Sequence, residues 1–135
     1  MTDVATMLSA FPGKLPGIDE DALIMCIQRT LNCAQVCTAC ADACAAEPDA
    51  AHLGRCIGAA LNCGELAVVA MRVLSRPAAY DAEVTRAALQ AFVAASRAGY
   101  DECRRHASEH EHCRVCADVC RDAGQSCAHL LASLS

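Results

Sequence analysis

Twelve cysteines recur along this chain at helical spacing. Cys26, Cys33, Cys37, Cys40 and Cys44 stand seven, four, three and four residues apart. Cys113, Cys116, Cys120 and Cys127 follow at three, four and seven. Steps of this kind return to one face of an α-helix. At about 100° per residue, the first five cysteines fall within a stripe roughly 60° wide. One side of a helix is therefore paved with sulfur, and such a stripe makes most sense as a store for a soft metal.

Length and composition narrow the fold. The 135 residues suffice for one domain with a core. The chain is 55% hydrophobic but only 3% aromatic, without Trp. Ala and Cys carry most of that apolar content; Ala is the best helix former, and β-branched and aromatic residues are scarce. An all-α fold with closely approaching helices follows. Core volume that Leu, Ile and Phe normally fill must here be sulfur, or what sulfur binds. A net charge of −5, with ten dispersed Arg among eleven basic residues, argues against nucleic acid. No run of 18 residues is wholly apolar and uncharged, so no membrane span is expected. The N-terminus, MTDVATMLSAFPGK, has neither a basic region nor a long apolar one, which predicts a cytoplasmic protein. Thiols stay reduced in that compartment, and cysteines three or four apart on one helix do not bridge without distorting it.

Breakers and caps predict the elements. A short helical segment over 3–10 precedes Pro12, Gly13, Pro16 and Gly17, so residues 1–18 read as an N-terminal segment and loop. Residues 19–135 read as a four-helix bundle with a cysteine-lined core. Asp19 caps a first long helix to about 46; Glu47-Pro48-Asp49 ends it, with Asp49 free to cap the next. The second runs from 50 to 76 and stops at Pro77. The third runs from 81 to 107. Ser108 and Glu111 fit a capping box opening a fourth that reaches 134. Short connections imply an antiparallel up-down bundle. In that arrangement the mirrored cysteine steps of the first and fourth helices set their thiols at matching depths, as two walls of one channel. Cys56 and Cys63 join from the second helix and Cys103 from the third. One end looks plugged by Leu66, Val69, Ala70, Val73 and Leu74 with Ala88, Leu89, Phe92 and Ala95. Histidines gather at the other: His106, His110 and His112, with His52 on the Cys56/Cys63 face. His129 reads as surface, Met25 and Met71 as core.

Thiolates select Cu(I), Zn(II) or iron–sulfur clusters. A structural zinc site wants one converging quartet, whereas these cysteines form a continuous column. Cys33-x3-Cys37-x2-Cys40 has the CxxxCxxC spacing of radical SAM enzymes, but it sits inside an Ala-rich helix, and the ferredoxin run is absent. Cu(I) accepts few ligands and lets one thiolate bridge two ions, so a line of cysteines can hold a chain of ions, on the order of twelve or more per chain. Iron–sulfur or zinc binding is the alternative. A thiol redox buffer is a further one, and would need exposed cysteines of low pKa.

The run Cys26-x6-Cys33-x3-Cys37-x2-Cys40-x3-Cys44, with Cys113-x2-Cys116-x3-Cys120-x6-Cys127, strongly resembles the bacterial four-helix-bundle copper storage proteins from Asp19 onward. The resemblance implies many Cu(I) ions on inward-facing cysteines, a homotetramer, no catalysis and, with no secretion signal here, the cytosolic branch. Members of that branch place histidines at the mouth, which matches His106, His110 and His112. A copper metallochaperone is the donor expected by analogy.

Overall fold

The computed structural model describes residues 2–134. Five helices follow in order: α1 (Val4–Ser9), α2 (Glu20–Ala46), α3 (Gly54–Leu74), α4 (Ala82–Arg104) and α5 (Glu111–Ser133). Short 3-10 turns lie at Ala50–His52 and Pro77–Ala79, and the described residues contain no strand. The last four helices form an antiparallel bundle in which each packs on its neighbours in sequence and α2 against α5 closes the ring. The small α1 lies against α2.

Local chemistry sets most of the boundaries. Asp19 accepts from the Ala22 amide at 3.0 Å and Asp81 from the Val84 amide at 3.0 Å, so both caps form as read from sequence. The turns at the mouth differ. Asp49 caps nothing; its carboxylate lies 3.1 Å from His110, and α3 starts only at Gly54. The helix expected to reach 76 ends at Leu74. The one expected to reach 107 ends at Arg104, and tight turns carry the chain on, with the His110 amide donating to the His106 carbonyl at 2.9 Å. The Ser108–Glu111 capping box does not form. His110 is the N-cap residue of α5, and Glu111 instead binds Arg114 at 2.6 and 3.0 Å. With the helix starting at Glu111, that residue stands at the first helical position rather than the third from which a capping-box glutamate reaches back.

The closed end is hydrocarbon, with Leu23, Ile27, Ala67, Ala70, Leu74, Leu89, Phe92 and Leu130 buried. Each large side chain there contributes about 1.5–3 kcal/mol by leaving water. Two side chains expected inside point out: Val69 is 44% and Met25 43% exposed. By length and composition α3 is apolar enough to cross a bilayer, yet its Cys56, Ala60, Cys63, Ala67 and Ala70 are buried in the bundle.

Glycines bring the helices close enough for sulfur to meet sulfur. A Cβ on Gly99 of α4 would stand 3.2 Å from the Cys120 sulfur and 3.5 Å from the Cys63 Cβ. One on Gly64 of α3 would stand 3.2 Å from the Cys37 Cβ. Gly99→Val is therefore expected to lower unfolding free energy by about 1–3 kcal/mol, because the added methyls have no room in a packed core. Urea denaturation of the reduced, metal-free protein measures it.

Candidate metal centre

All twelve cysteine side chains are unbridged and no more than 1% exposed. The inward stripe of α2 supplies Cys26, Cys33, Cys37, Cys40 and Cys44; α5 runs antiparallel beside it and supplies the mirrored four. The matching depths expected from the mirror are realised, with Cys37 3.6 Å from Cys120 and Cys44 3.7 Å from Cys113.

From the closed end upward, Cys26 pairs with Cys127, and the Cys26 thiol donates to the Ser126 carbonyl at 3.2 Å. Buried Thr30 separates this pair from the rest, its hydroxyl donating to the Cys26 carbonyl. Next, Cys33, Cys37, Cys63 and Cys120 converge, with neighbouring sulfurs 3.6–3.7 Å apart. Cys116 reaches Cys37 at 3.9 Å and leads to Cys40 and Cys103. Cys103, alone on its helix, is met by Cys56 at 3.1 Å. Uppermost, Cys40, Cys44 and Cys113 face one imidazole nitrogen, the Nδ1 of His112, at 3.5, 3.8 and 3.6 Å. Cys37 and Cys40 each join two levels, so above the lowest pair the sulfurs form one unbroken column.

The column's acid–base state follows from burial. Burial and the neighbouring Cys40 charge push the Cys44 thiol up to about 12 and raise Cys113 in the same way. Against an opposing contact with Cys103, hydrogen bonds from Cys116 and Cys56 hold Cys40 down to about 6. Bonds from Cys116, Cys120 and Cys33 likewise lower Cys37. A buried thiolate persists only where neighbouring S–H groups solvate it, and those neighbours must then keep their protons.

The mouth holds a second network that the sequence did not announce. One oxygen of Glu47 lies 2.7 Å from His110 Nδ1 and 2.9 Å from His112 Nε2. The two rings stack with centroids 5.4 Å apart. A carboxylate only accepts, so His112 turns an N–H to Glu47, and its Nδ1 is left to face the three sulfurs. Carboxylate support of this kind fixes the tautomer of a metal-binding histidine. His110 has carboxylates on both ring nitrogens, Glu47 and Asp49. Its hydrogen bond to Asp49 raises its pKa above the usual 6.5, and Asp49 is lowered in return. Asp49→Asn should bring the His110 pKa down towards the ordinary value, read from the ring shifts in an NMR pH titration.

The sequence-predicted ligands fare differently. The structure gathers His112 with Cys40, Cys44 and Cys113, and sets His110 among carboxylates. His106 sits half-buried in the connecting turn and, among the described residues, joins no group of three potential ligands. His52, expected on the Cys56/Cys63 face, is exposed in the 3-10 turn before α3 begins. In the sequence, Glu47 and Asp49 read only as a helix stop and a cap. Their signal was position, since the turn that carries them meets the histidine turn at the same end of the bundle.

Known proteins fit this geometry. The structure of the copper storage protein of Streptomyces lividans loaded with 10 copper equivalents is 50% identical, covers 97% of this chain and 99% of its own, and superposes with a TM-score of 0.95. A structure of copper loading to the cytosolic copper storage protein of the same organism, at five coppers, is 51% identical over 85% of this chain and 96% of its own (TM-score 0.83). A histidine-to-alanine mutant of the Streptomyces lividans protein is 50% identical over 89% and 100% (TM-score 0.87). Among curated proteins none matches significantly. The sequence profile of the copper storage protein family matches residues 19–132. Through that match and the sulfur column those residues build, this chain belongs to the copper storage protein family.

Proposed function

We propose that this chain stores many Cu(I) ions on its twelve inward cysteines and fills from the histidine end. The observation that carries this reading is the unbroken run of buried, unbridged thiols that ends against the His112 imidazole. Soft thiolates suit Cu(I), and a thiolate shared between two ions lets neighbouring levels fill as one cluster. His112, Cys40, Cys44 and Cys113 form the innermost entry ligands. His110 and His106 stand further out as exchangeable ones. The role so proposed is to buffer and sequester copper rather than to catalyse. The cytosolic relative supports a cytosolic site of action. A homotetramer and delivery by a copper metallochaperone complete the proposal by analogy with the family.

Anaerobic titration of the reduced protein with Cu(I), against a competing chromophoric chelator, tests it. Uptake of about one ion or more per thiol is expected. Saturation at one to four ions would replace the store with discrete sites, for which the Cys33, Cys37, Cys63 and Cys120 quartet is the natural zinc or cluster position. A second expectation separates mouth from store. Replacing His106 and His110 together should change loading and release rates several-fold in stopped-flow transfer while removing no more than about two ions, since thiolates outbind imidazole for Cu(I). An equal loss of capacity and rate would place these histidines in the store itself.

A further inference from the structure

The shared Glu47 oxygen orients two imidazoles in opposite senses. Both rings turn one nitrogen to it, at 2.7 Å for His110 and 2.9 Å for His112. What their remaining nitrogens face is chemically opposite. His112 Nδ1 looks inward at sulfur. His110 Nε2 looks outward at oxygen, 3.1 Å from the Asp49 carboxylate, with a Glu109 oxygen completing a set whose members all lie within 4.8 Å of one another. Copper(I) prefers the first environment. Imidazole with two carboxylates suits a borderline divalent ion.

We propose that Asp49, Glu109 and the Nε2 of His110 form a second, harder metal site at the rim of the mouth, taking a divalent cation of the zinc class. The site goes beyond the copper reading and shares no sulfur with the column. Its dimensions fit. Zinc bonds to nitrogen and oxygen are about 2.0–2.2 Å, so tetrahedral ligands sit roughly 3.4 Å apart. His110 and Asp49 are already at about that spacing. Glu109 is exposed and free to close the remaining distance. Water takes the open position. Glu47 then acts as the outer carboxylate that holds a metal-binding histidine in its tautomer, a support worth about 10–100-fold in affinity. His110 is only 12% exposed and is stacked on His112, so its orientation is set before the ion arrives. An ion bound there ties the α2–α3 turn to the α4–α5 turn across the entrance, so it should also slow copper exchange.

The test uses the copper-loaded protein, in which the thiols are occupied. Zinc is added at micromolar free concentration, and zinc and copper are counted in the same samples after equilibrium dialysis. About one zinc per chain is expected, weakened at least about ten-fold in Asp49→Asn and in Glu109→Gln. Cobalt(II) substituted for zinc should show ligand-field bands without thiolate-to-metal charge transfer. Full copper with no retained zinc overturns the rim site alone. Zinc that both variants bind as well as the parent, or cobalt with thiolate charge transfer, overturns it too, because the ion has then gone elsewhere. Zinc sensitive to Asp49→Asn in a protein that takes up little copper would support the rim site and overturn the store.

Discussion

Replacing Cys37 and Cys120 with serine should remove about four Cu(I) ions from the filled protein, not two. Cys37 lies within 3.6–3.9 Å of three other thiols, Cys33, Cys116 and Cys120, and Cys120 also meets Cys63 at 3.7 Å. Each of these sulfurs can bridge two ions, so losing one removes a ligand from both. Serine keeps the shape but offers a hard, protonated oxygen that Cu(I) does not choose. The double variant also cuts the column at mid-height, leaving Cys33 and Cys63 without partners on the α5 wall. Cys26→Ser with Cys127→Ser is the contrasting case. That pair stands alone below Thr30, so its loss should cost about one ion and leave the other levels untouched. Copper counting after gel filtration, with the fold checked by circular dichroism, measures both. Equal losses from the two variants would mean that copper binds in independent pairs rather than in a connected cluster.

This contrast also marks how far the sequence could be read. The α2 and α5 walls were legible because helical periodicity fixes which face a residue occupies, and a mirrored spacing fixes depth in an antiparallel pair. Cys103 was harder: alone on α4, it owes its place beside Cys56 and Cys116 to packing between helices, which no single-helix pattern records. The mouth was harder still. Extending the third helix to 107 would have put Cys103, His106 and His110 on one face, but the chain leaves the helix at Arg104 and turns. That turn brings His110 to Glu47 and Asp49, more than sixty residues away in sequence. Short polar residues at a helix end read as caps by local chemistry. Only the meeting of two turns shows that these carboxylates serve imidazoles instead. His112 gained importance for the same reason, since its Nδ1 contacts come from α2 as well as from its own helix.

Copper loading should raise the midpoint of thermal unfolding by tens of degrees and abolish a loss of stability that the metal-free protein shows in alkali. The metal-free bundle folds because most of its thiols are raised and neutral, and pack as small hydrophobes around the lowered Cys37 and Cys40, which their S–H neighbours solvate. Its helices should therefore persist without copper, with little change in far-UV circular dichroism on loading. Each ion bound to the folded state at about a thousand times its dissociation constant adds about 4 kcal/mol. Three such sites exceed the whole stability of many domains. At this size, about 1 kcal/mol moves the midpoint by several degrees. The pH dependence follows from the thiols. Cys44 is raised from 9.0 to about 12, and Cys113 is raised too, by burial and by the nearby Cys40 charge. A group whose folded pKa lies above its unfolded one stabilises the fold fully below the unfolded value. That contribution fades as pH climbs through the folded value. The metal-free protein should thus lose its midpoint progressively from about pH 9 towards pH 12, while below pH 9 the lowered Cys40 works the other way, its contribution fading as pH falls towards about 6. Thiolates already bound to copper have no proton to lose in that window, so the loaded protein should stay level there. At acid pH the order reverses, because protons compete with copper for sulfur, and the loaded protein should shed ions and fall back to the metal-free midpoint. Parallel melts of both forms from pH 5 to 11 decide the matter. A metal-free midpoint that stays flat to pH 11 would mean that the sulfur column ionises as freely inside the bundle as it does in water.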